Sequence, residues 1–242
     1  MEIIRAKDYE EMSKIACSHI SEKLKKIEQP VLGLATGSTP EGLYRQLIEA
    51  FNNGSLSFKH VKTFNLDEYI NLDQTNPNSY YYYMNKHLFE WIDIPKEQIF
   101  LPNGRAKDLE AECLDYENKI KLAGKIDLQI LGIGLNGHIG FNEPGTAFTS
   151  RTHVVTLDES TREANARFFA SIDDVPTHAM TMGIETIMES EEILLLVSGE
   201  QKAAALDRLL NGEISEEFPA SILHKHKKVT VIADAAASQL ID

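Results

Sequence analysis

The sequence contains little that indicates a secreted or membrane protein. It has two cysteines, Cys17 and Cys113, with no Cys-x-x-Cys pair and no metal-ligand spacing. Neither a disulfide framework nor a zinc site is therefore expected. No apolar run is long enough to cross a bilayer, and the early charges at Glu2 and Arg5 argue against a signal peptide. These absences predict a soluble protein of the cytoplasm.

Positive charge is also scarce. The chain carries 24 lysines and arginines against 37 acidic residues, which gives a net charge of −13. Such a surface repels nucleic-acid phosphates and anionic lipids, so neither nucleic acid nor membrane is expected as a partner. A small anionic ligand is still compatible with this balance, provided that a few cations are concentrated at one place.

Apolar runs alternate with amphipathic stretches from one end of the 242-residue chain to the other, without a repeat, a low-complexity tract or a linker. This alternation predicts one α/β domain over residues 1–242, with an open, mostly parallel, doubly wound (Rossmann-like) sheet flanked by helices. A first helix is expected after its N-cap, Asp8. The expected strands cover residues 31–35, 61–66, 99–101, 127–133, 152–157, 193–197 and 229–233.

A turn rich in hydroxyl groups follows the strand at 31–35. Thr39 suits the N-cap of the next helix, and Pro40 its first position. Free backbone N–H groups at a helix N-terminus attract anions. The residues concerned are Thr36, Gly37, Ser38 and Thr39. The turn lacks the Gly-Lys-Ser/Thr ending of a nucleotide P-loop, so ATP is not expected. A capped turn without any ligand fits the local sequence equally well.

The densest group of polar residues, 136–143, follows the strand at 127–133. Four glycines between 132 and 140 allow a ligand to lie close to the backbone. Asn136, His138 and Glu143 lie among or just after them and are able to exchange protons or hydrogen bonds. A solvated His and Glu on a tight turn are the alternative, but this density favours chemistry.

Two further polar positions follow predicted strands. Asp67 comes directly after residues 61–66, and Lys202 lies in the predicted first turn of the helix after 193–197. Each of the two could also be a solvated surface charge. For Lys202, however, a positive charge at the start of a helix opposes the helix dipole, and such a local conflict favours a functional role. The carboxyl ends of parallel strands share one edge of a sheet. We therefore expect these residues, the turn at 36–39 and the group at 136–143 to form one anion-binding, acid–base site.

Several runs of the sequence together resemble the glucosamine-6-phosphate deaminase (glucosamine/galactosamine-6-phosphate isomerase) family. They are residues 32–40, 65–69, 132–144, 150–152, 161–162, 165–169 and 198–203. The resemblance covers nearly the whole chain. It implies conversion of glucosamine 6-phosphate and water into fructose 6-phosphate and ammonia, in amino sugar catabolism, without a metal or an organic cofactor.

The resemblance also implies a role for each matching residue. Asp67 would move a proton between C2 and C1 of the sugar. His138, oriented by Asn136 and Glu143, would open the sugar ring. The phosphate would be held by two cations, Arg167 and Lys202, and by the turn formed by Thr36, Gly37, Ser38 and Thr39.

The sequence departs from the family pattern in two places. Many relatives carry Asp where this chain has Asn136, and an amide orients an imidazole without offering it a charge. His153 and Val155 stand where hexameric relatives use basic residues, so a monomer is favoured and a homo-oligomer is left open. Two other functions compete. They are 6-phosphogluconolactonase, whose members lack the pattern at 141–144, and a sugar-phosphate-sensing domain without activity.

Overall fold

The computed structural model describes residues 1–241, apart from the side chain of Ser160. The last position of the predicted domain, Asp242, lies outside the described residues. The strands are β1 (Glu2–Ala6), β2 (Val31–Leu34), β3 (Lys62–Asn65), β4 (Asp67–Tyr69), β5 (Ile99–Phe100), β6 (Leu128–Leu131), β7 (His153–Thr156), β8 (His178–Thr181), β9 (Ile193–Val197) and β10 (Val229–Asp234). The helices are α1 (Tyr9–Lys26), α2 (Glu41–Asn52), α3 (Tyr80–His87), α4 (Leu109–Leu122), α5 (Glu159–Ala166), α6 (Ile184–Met188) and α7 (Ala203–Asn211).

Seven strands form the main sheet in the order β1-β10-β9-β6-β2-β3-β5, and every neighbouring pair is parallel. The four central strands β2, β6, β9 and β10 are buried along their whole length, which explains why their sequences are mostly apolar. The predicted α/β class with a mostly parallel sheet is confirmed. All seven expected strands match observed ones within two residues at each end; they are β2, β3, β5, β6, β7, β9 and β10.

The order of strands reverses direction between β2 and β6. From β2 the chain continues outward through β3 to β5, and it then returns to add β6 on the other side of β2. Leu32 pairs with Leu128 and Gly33 with Gln129 across this junction. In open α/β sheets, such a reversal leaves a crevice beyond the carboxyl ends of the two strands, where ligands bind. The turns after β2 and β6 both begin there.

A second sheet was not predicted. Strands β4, β8 and β7 form a three-stranded antiparallel sheet, in which Asp67 pairs with Thr181 and His153 also pairs with Thr181. The run at 152–157 is thus a strand, as expected, but it belongs to this sheet and not to the main one. Leu66 O accepts a hydrogen bond from Met182 N at 2.6 Å, which joins the small sheet to the end of β3.

Helix α2 begins one residue later than expected. Its N-cap is Pro40, without a side-chain cap, and its first residue is Glu41. The predicted N-cap role of Thr39 is therefore wrong. Tyr9 on α1 takes over that role, since its hydroxyl accepts from Gly42 N at 2.7 Å and donates to Ser38 O at 3.0 Å. A tertiary contact replaces a local one, which no local pattern in the sequence indicates.

The first helix begins as its sequence predicts. Asp8 is the N-cap of α1, and its carboxylate accepts from Glu11 N at 2.8 Å. The buried face of the helix carries Met12, Ala16 and Ile20, which pack into the main hydrophobic core. Within residues 1–241, no helix combines the length and the apolar character needed to span a membrane.

Candidate active site

A cavity of about 510 Å³ opens at the junction of β2 and β6, a size typical of small-molecule sites. Of the predicted site residues, only Glu143 does not line it. The lining includes Thr36, Gly37, Ser38, Thr39, Asp67, Asn136, His138, Arg167 and Lys202. The structure therefore brings the separate polar turns of the sequence to a single place, on one edge of the sheet.

The turn after β2 presents unpaired backbone donors to this cavity. Its carbonyl groups are engaged, since Tyr83 Oη donates to Gly37 O at 2.6 Å and Tyr9 Oη donates to Ser38 O. The N–H groups of residues 36–39 donate no hydrogen bond to any described residue. Free N–H groups of this kind, close to the start of α2, are suited to binding a phosphate or carboxylate.

Two cations line the same cavity. Lys202 ends a short 3₁₀ turn (Glu200–Lys202) directly before α7, so its predicted place inside the first turn of that helix is wrong by one residue. Its Nζ donates to Ile133 O at 2.8 Å. Burial, and to a smaller extent the nearby charge of Arg167, lower the pKa of Lys202. An anion bound between the two cations would offset their repulsion and favour the charged form of Lys202.

His138 lies against a buried carboxylate. Its Nδ1 is 3.5 Å from Oε2 of Glu143. Oε2 also accepts from Asn136 Nδ2 at 2.8 Å, and Oε1 accepts from Thr161 Oγ1 at 2.6 Å. Burial raises the pKa of Glu143, but the contact with His138 and the two hydrogen bonds outweigh it, so the pKa lies below its ordinary value. Glu143 thus stays ionised behind the imidazole.

The imidazole of His138 packs flat against the backbone of Gly134. A Cβ atom at position 134 would lie 2.4 Å from both Nδ1 and Cε1 of the ring, a distance that no real contact allows. The turn is closed by two backbone hydrogen bonds, from Gly134 N to His138 O at 2.9 Å and from Gly137 N to Gly134 O at 3.1 Å. The absence of a side chain at Gly134 is therefore what leaves room for the ring beside Glu143.

Asp67 is a buried carboxyl group at the edge of the cavity. A Cβ atom at Gly140, where φ is +57°, would lie 3.5 Å from Asp67 Oδ2, so the carboxyl group lies beside the turn that carries His138. Burial, followed by the negative charge of Glu68, raises the pKa of Asp67 to about 8. A carboxylate kept from water and from donors is a stronger base than an exposed one.

Glu68 is held in place by three backbone donors. Its Oε1 accepts from Tyr69 N and Tyr80 N, and its Oε2 from Tyr81 N, each at 2.9 Å. These bonds join β4 to the first turn of α3. They fix the strand that presents Asp67, and they place the Tyr80 side chain on the cavity wall.

Sequence reasoning missed two residues of this site. Tyr80 belongs to a run of four consecutive tyrosines without interleaved basic residues, a pattern typical of a helix that packs aromatic side chains into the core. Thr161 was noted only as part of a matching run. Both meet the site through long-range contacts, so nothing local distinguishes them from other tyrosines and threonines.

The fold and the cavity define an α/β protein with a combined anion-binding and acid–base site. The sequence model of one family, described as glucosamine-6-phosphate isomerases/6-phosphogluconolactonase, matches residues 7–232 of this chain. The chain belongs to this family, and the resemblance seen in its motifs is confirmed.

Individual relatives agree with this assignment. The chain is 61% identical over 239 residues to a glucosamine-6-phosphate deaminase of Oceanobacillus iheyensis, covering 99% of this chain and 96% of that protein. It is 55% identical over 240 residues to glucosamine-6-phosphate deaminase 1 of Bacillus subtilis, covering 99% of each.

Solved structures show the same fold. A monomeric glucosamine-6-phosphate deaminase, 55% identical, matches with a TM-score of 0.98 over 99% of this chain and 100% of the other. A 6-phosphogluconolactonase from Thermotoga maritima matches with a TM-score of 0.77 at 22% identity, over 96% of this chain and 98% of the other. The second likeness concerns the fold alone.

The contact between His138 and Gly134 leads to a first prediction. In Gly134→Ala, the new Cβ forces the imidazole away from Glu143, and the free energy of unfolding falls because the buried turn must shift. Gly132→Ala is the matched control, since a Cβ at Gly132 meets no atom within 4 Å. Crystal structures and denaturant unfolding of both variants test this. An unmoved ring in Gly134→Ala would contradict it.

A second prediction follows from the buried carboxyl group. The raised pKa of Asp67 means that it contributes stability below its unfolded value of about 3.9, which is lost as the pH rises to about 8. Asp67→Asn has no such loss, so its free energy of unfolding should increase relative to the parent between these values and then level off. Urea unfolding at several pH values measures this difference. A difference that does not change with pH would rule out the raised pKa.

Proposed function

We propose that this protein converts glucosamine 6-phosphate and water into fructose 6-phosphate and ammonia. One observation carries the proposal: a single cavity is lined by an anion site, by an imidazole backed by a carboxylate, and by a buried carboxyl group. A sugar phosphate that must be opened and then isomerised needs these three functions together. The names of the relatives at 55–61% identity support the same reaction.

The phosphate group would bind to the turn at 36–39 and to the two cations. The free N–H groups of the turn supply fixed donors, while Arg167 and Lys202 supply charge. Hydrogen bonds to charged groups contribute about 1.5–3 kcal/mol each, which is more than the dipole of α2 gives alone. Burial and, to a smaller extent, the charge of Arg167 lower the pKa of Lys202, and a bound anion would offset the repulsion from Arg167.

His138 would open the sugar ring. Ring opening needs a proton taken from the anomeric hydroxyl and a proton given to the ring oxygen. An imidazole serves for both transfers because it exchanges protons near neutral pH. Glu143 stays ionised and so stabilises the imidazolium formed in between, and Asn136 holds Glu143 in place without adding a charge.

Asp67 would then transfer a proton from C2 to C1 of the open sugar. Loss of the C2 proton gives an enolamine, and protonation at C1 gives an imine at C2. Water adds to this imine, and ammonia leaves as the ketone forms. One base facing both carbons is sufficient, and a positioned base contributes about 10²–10⁴-fold to the rate. The ammonium group of the substrate favours the ionised form of Asp67 at this point.

We also propose that the protein acts as a monomer in the cytoplasm, with a small sugar phosphate as its ligand and with neither nucleic acid nor membrane as a partner. A monomeric relative with a TM-score of 0.98 supports the first statement. The thiols of Cys17 and Cys113, both buried and free, are compatible with a reducing compartment.

A paired assay tests the function. The purified protein should release ammonia from glucosamine 6-phosphate and form fructose 6-phosphate in equal amount. It should not accelerate the hydrolysis of 6-phosphogluconolactone above the spontaneous rate. Lactone hydrolysis without ammonia release would instead assign a lactonase. Binding of glucosamine 6-phosphate without turnover would indicate a sensing domain.

The role of Asp67 has its own test. Asp67→Asn should bind the sugar phosphate, because the cations and the turn at 36–39 are unchanged, but it should lose about 10²–10⁴-fold in turnover and the exchange of the C2 hydrogen with solvent. Proton NMR in deuterated water follows this exchange directly. If the variant exchanges the C2 hydrogen at the parent rate, another group is the base.

A further inference from the structure

A buried threonine contacts the ring-opening pair from another element of the fold. Thr161 lies on α5, and its side chain is 5% exposed. Its Oγ1 donates to Oε1 of Glu143 at 2.6 Å. Neither the sequence nor the proposed reaction assigns this hydroxyl a role, although it lines the cavity.

The two oxygens of Glu143 are fixed from two directions. Asn136, from the turn after β6, donates to Oε2, the oxygen that faces His138. Thr161 holds the opposite oxygen. The backbone of Glu143 is anchored separately, because its carbonyl accepts from Thr146 N at 3.0 Å and from Thr146 Oγ1 at 2.6 Å. Loss of the Thr161 hydroxyl would therefore leave Asn136 to hold the carboxylate through one oxygen, so that the carboxylate turns more easily while the main chain stays in place.

The imidazole depends on that orientation. Within the described residues, Nδ1 of His138 is buried and makes no well-aligned hydrogen bond, and Glu143 Oε2 at 3.5 Å is its nearest acidic partner. If the carboxylate rotates, Oε2 moves away from Nδ1. The imidazole then loses its acidic partner, whether or not Nδ1 carries a proton.

We infer that Thr161 is a positioning residue for the ring-opening pair, which orients Glu143 towards His138 by its hydroxyl group. The inference rests on the proposed function. Thr161 lies six positions before Arg167, at the other end of the same segment. The segment that carries Arg167 therefore also holds the carboxylate behind the imidazole, and Thr161 would act through Glu143.

The groups around Glu143 make the inference measurable. His138 is the ionisable partner from its own turn, and Asn136 and Thr161 are neutral donors. The other ionisable groups among the described residues that line the cavity are Asp67, Tyr80, Arg167 and Lys202. The hydrogen bond from Thr161 is one of the contacts that lower the pKa of Glu143. Its removal should raise this pKa and shift the pH profile of kcat in the same direction.

The experiment compares three variants of the full-length protein. Thr161→Val removes the hydroxyl and keeps the shape, and Thr161→Ser keeps the hydroxyl. Thr186→Val is the matched control, since Thr186 is also buried and donates to a carboxylate, Oε1 of Glu117, at 2.7 Å outside the cavity. Carboxyl ¹³C NMR of labelled glutamate follows the titration of Glu143, and steady-state kinetics with glucosamine 6-phosphate gives kcat and KM.

In Thr161→Val we expect a higher pKa of Glu143 and a kcat lower by about 10- to 100-fold, the effect of one hydrogen bond to a charged group. KM should change little, because the phosphate ligands are intact. Thr161→Ser and Thr186→Val should behave as the parent. An unchanged kcat in Thr161→Val, or equal losses in Thr161→Ser or Thr186→Val, would overturn the inference.

The two proposals fail separately. If the parent protein releases no ammonia, the proposed function is wrong, while the NMR titration still reports whether Thr161 orients Glu143. If the parent is active and Thr161→Val titrates and turns over like the parent, the function stands and the inference on Thr161 is wrong.

Discussion

The pairing of β2 with β6 is the constraint on which the site depends. These two strands are neighbours in the sheet although almost a hundred residues separate them in the sequence. Because the chain reverses its direction of growth at this junction, the turns that follow both strands open into the same crevice. The turn after β2 brings backbone donors, and the turn after β6 brings His138 with Glu143 behind it.

The polar groups of the cavity are held in states that cost free energy without a ligand. Burial lowers the pKa of Lys202, and repulsion from Arg167 lowers it further. Burial and Glu68 raise the pKa of Asp67. A substrate with a phosphate at one end and an ammonium group at the other would offset both, since each charge meets its opposite. The unfavourable charge states that destabilise the free protein would therefore contribute to substrate binding and to the basicity of Asp67.

The carboxylates differ because their donors differ. Glu143 receives hydrogen bonds from two side chains and lies against His138, and its pKa lies below the ordinary value in spite of burial. Asp67 is also buried, but no hydrogen bond contributes to its pKa, which rises. One carboxylate thus stays ionised and supports an imidazole, whereas the other is suited to take a proton from carbon.

The sequence predicts the main sheet because its central strands are buried on both faces and therefore consist of mostly apolar runs. The small antiparallel sheet was missed for the opposite reason. Asp67–Tyr69 is only three residues long and carries two acidic side chains, and its partner strand lies more than a hundred positions away. The convergence of the polar turns followed from the fold class alone, while Tyr80 and Thr161 enter the site through contacts that only the folded chain makes.

A crystal structure with glucitol 6-phosphate, an open-chain sugar phosphate that is unable to react, tests the central claim most directly. We expect its phosphate to contact Arg167, Lys202 and the N–H groups of residues 36–39, with C1 and C2 facing the Asp67 carboxyl group. A phosphate bound outside this turn, or C1 and C2 beyond hydrogen-bond reach of Asp67, would contradict the account.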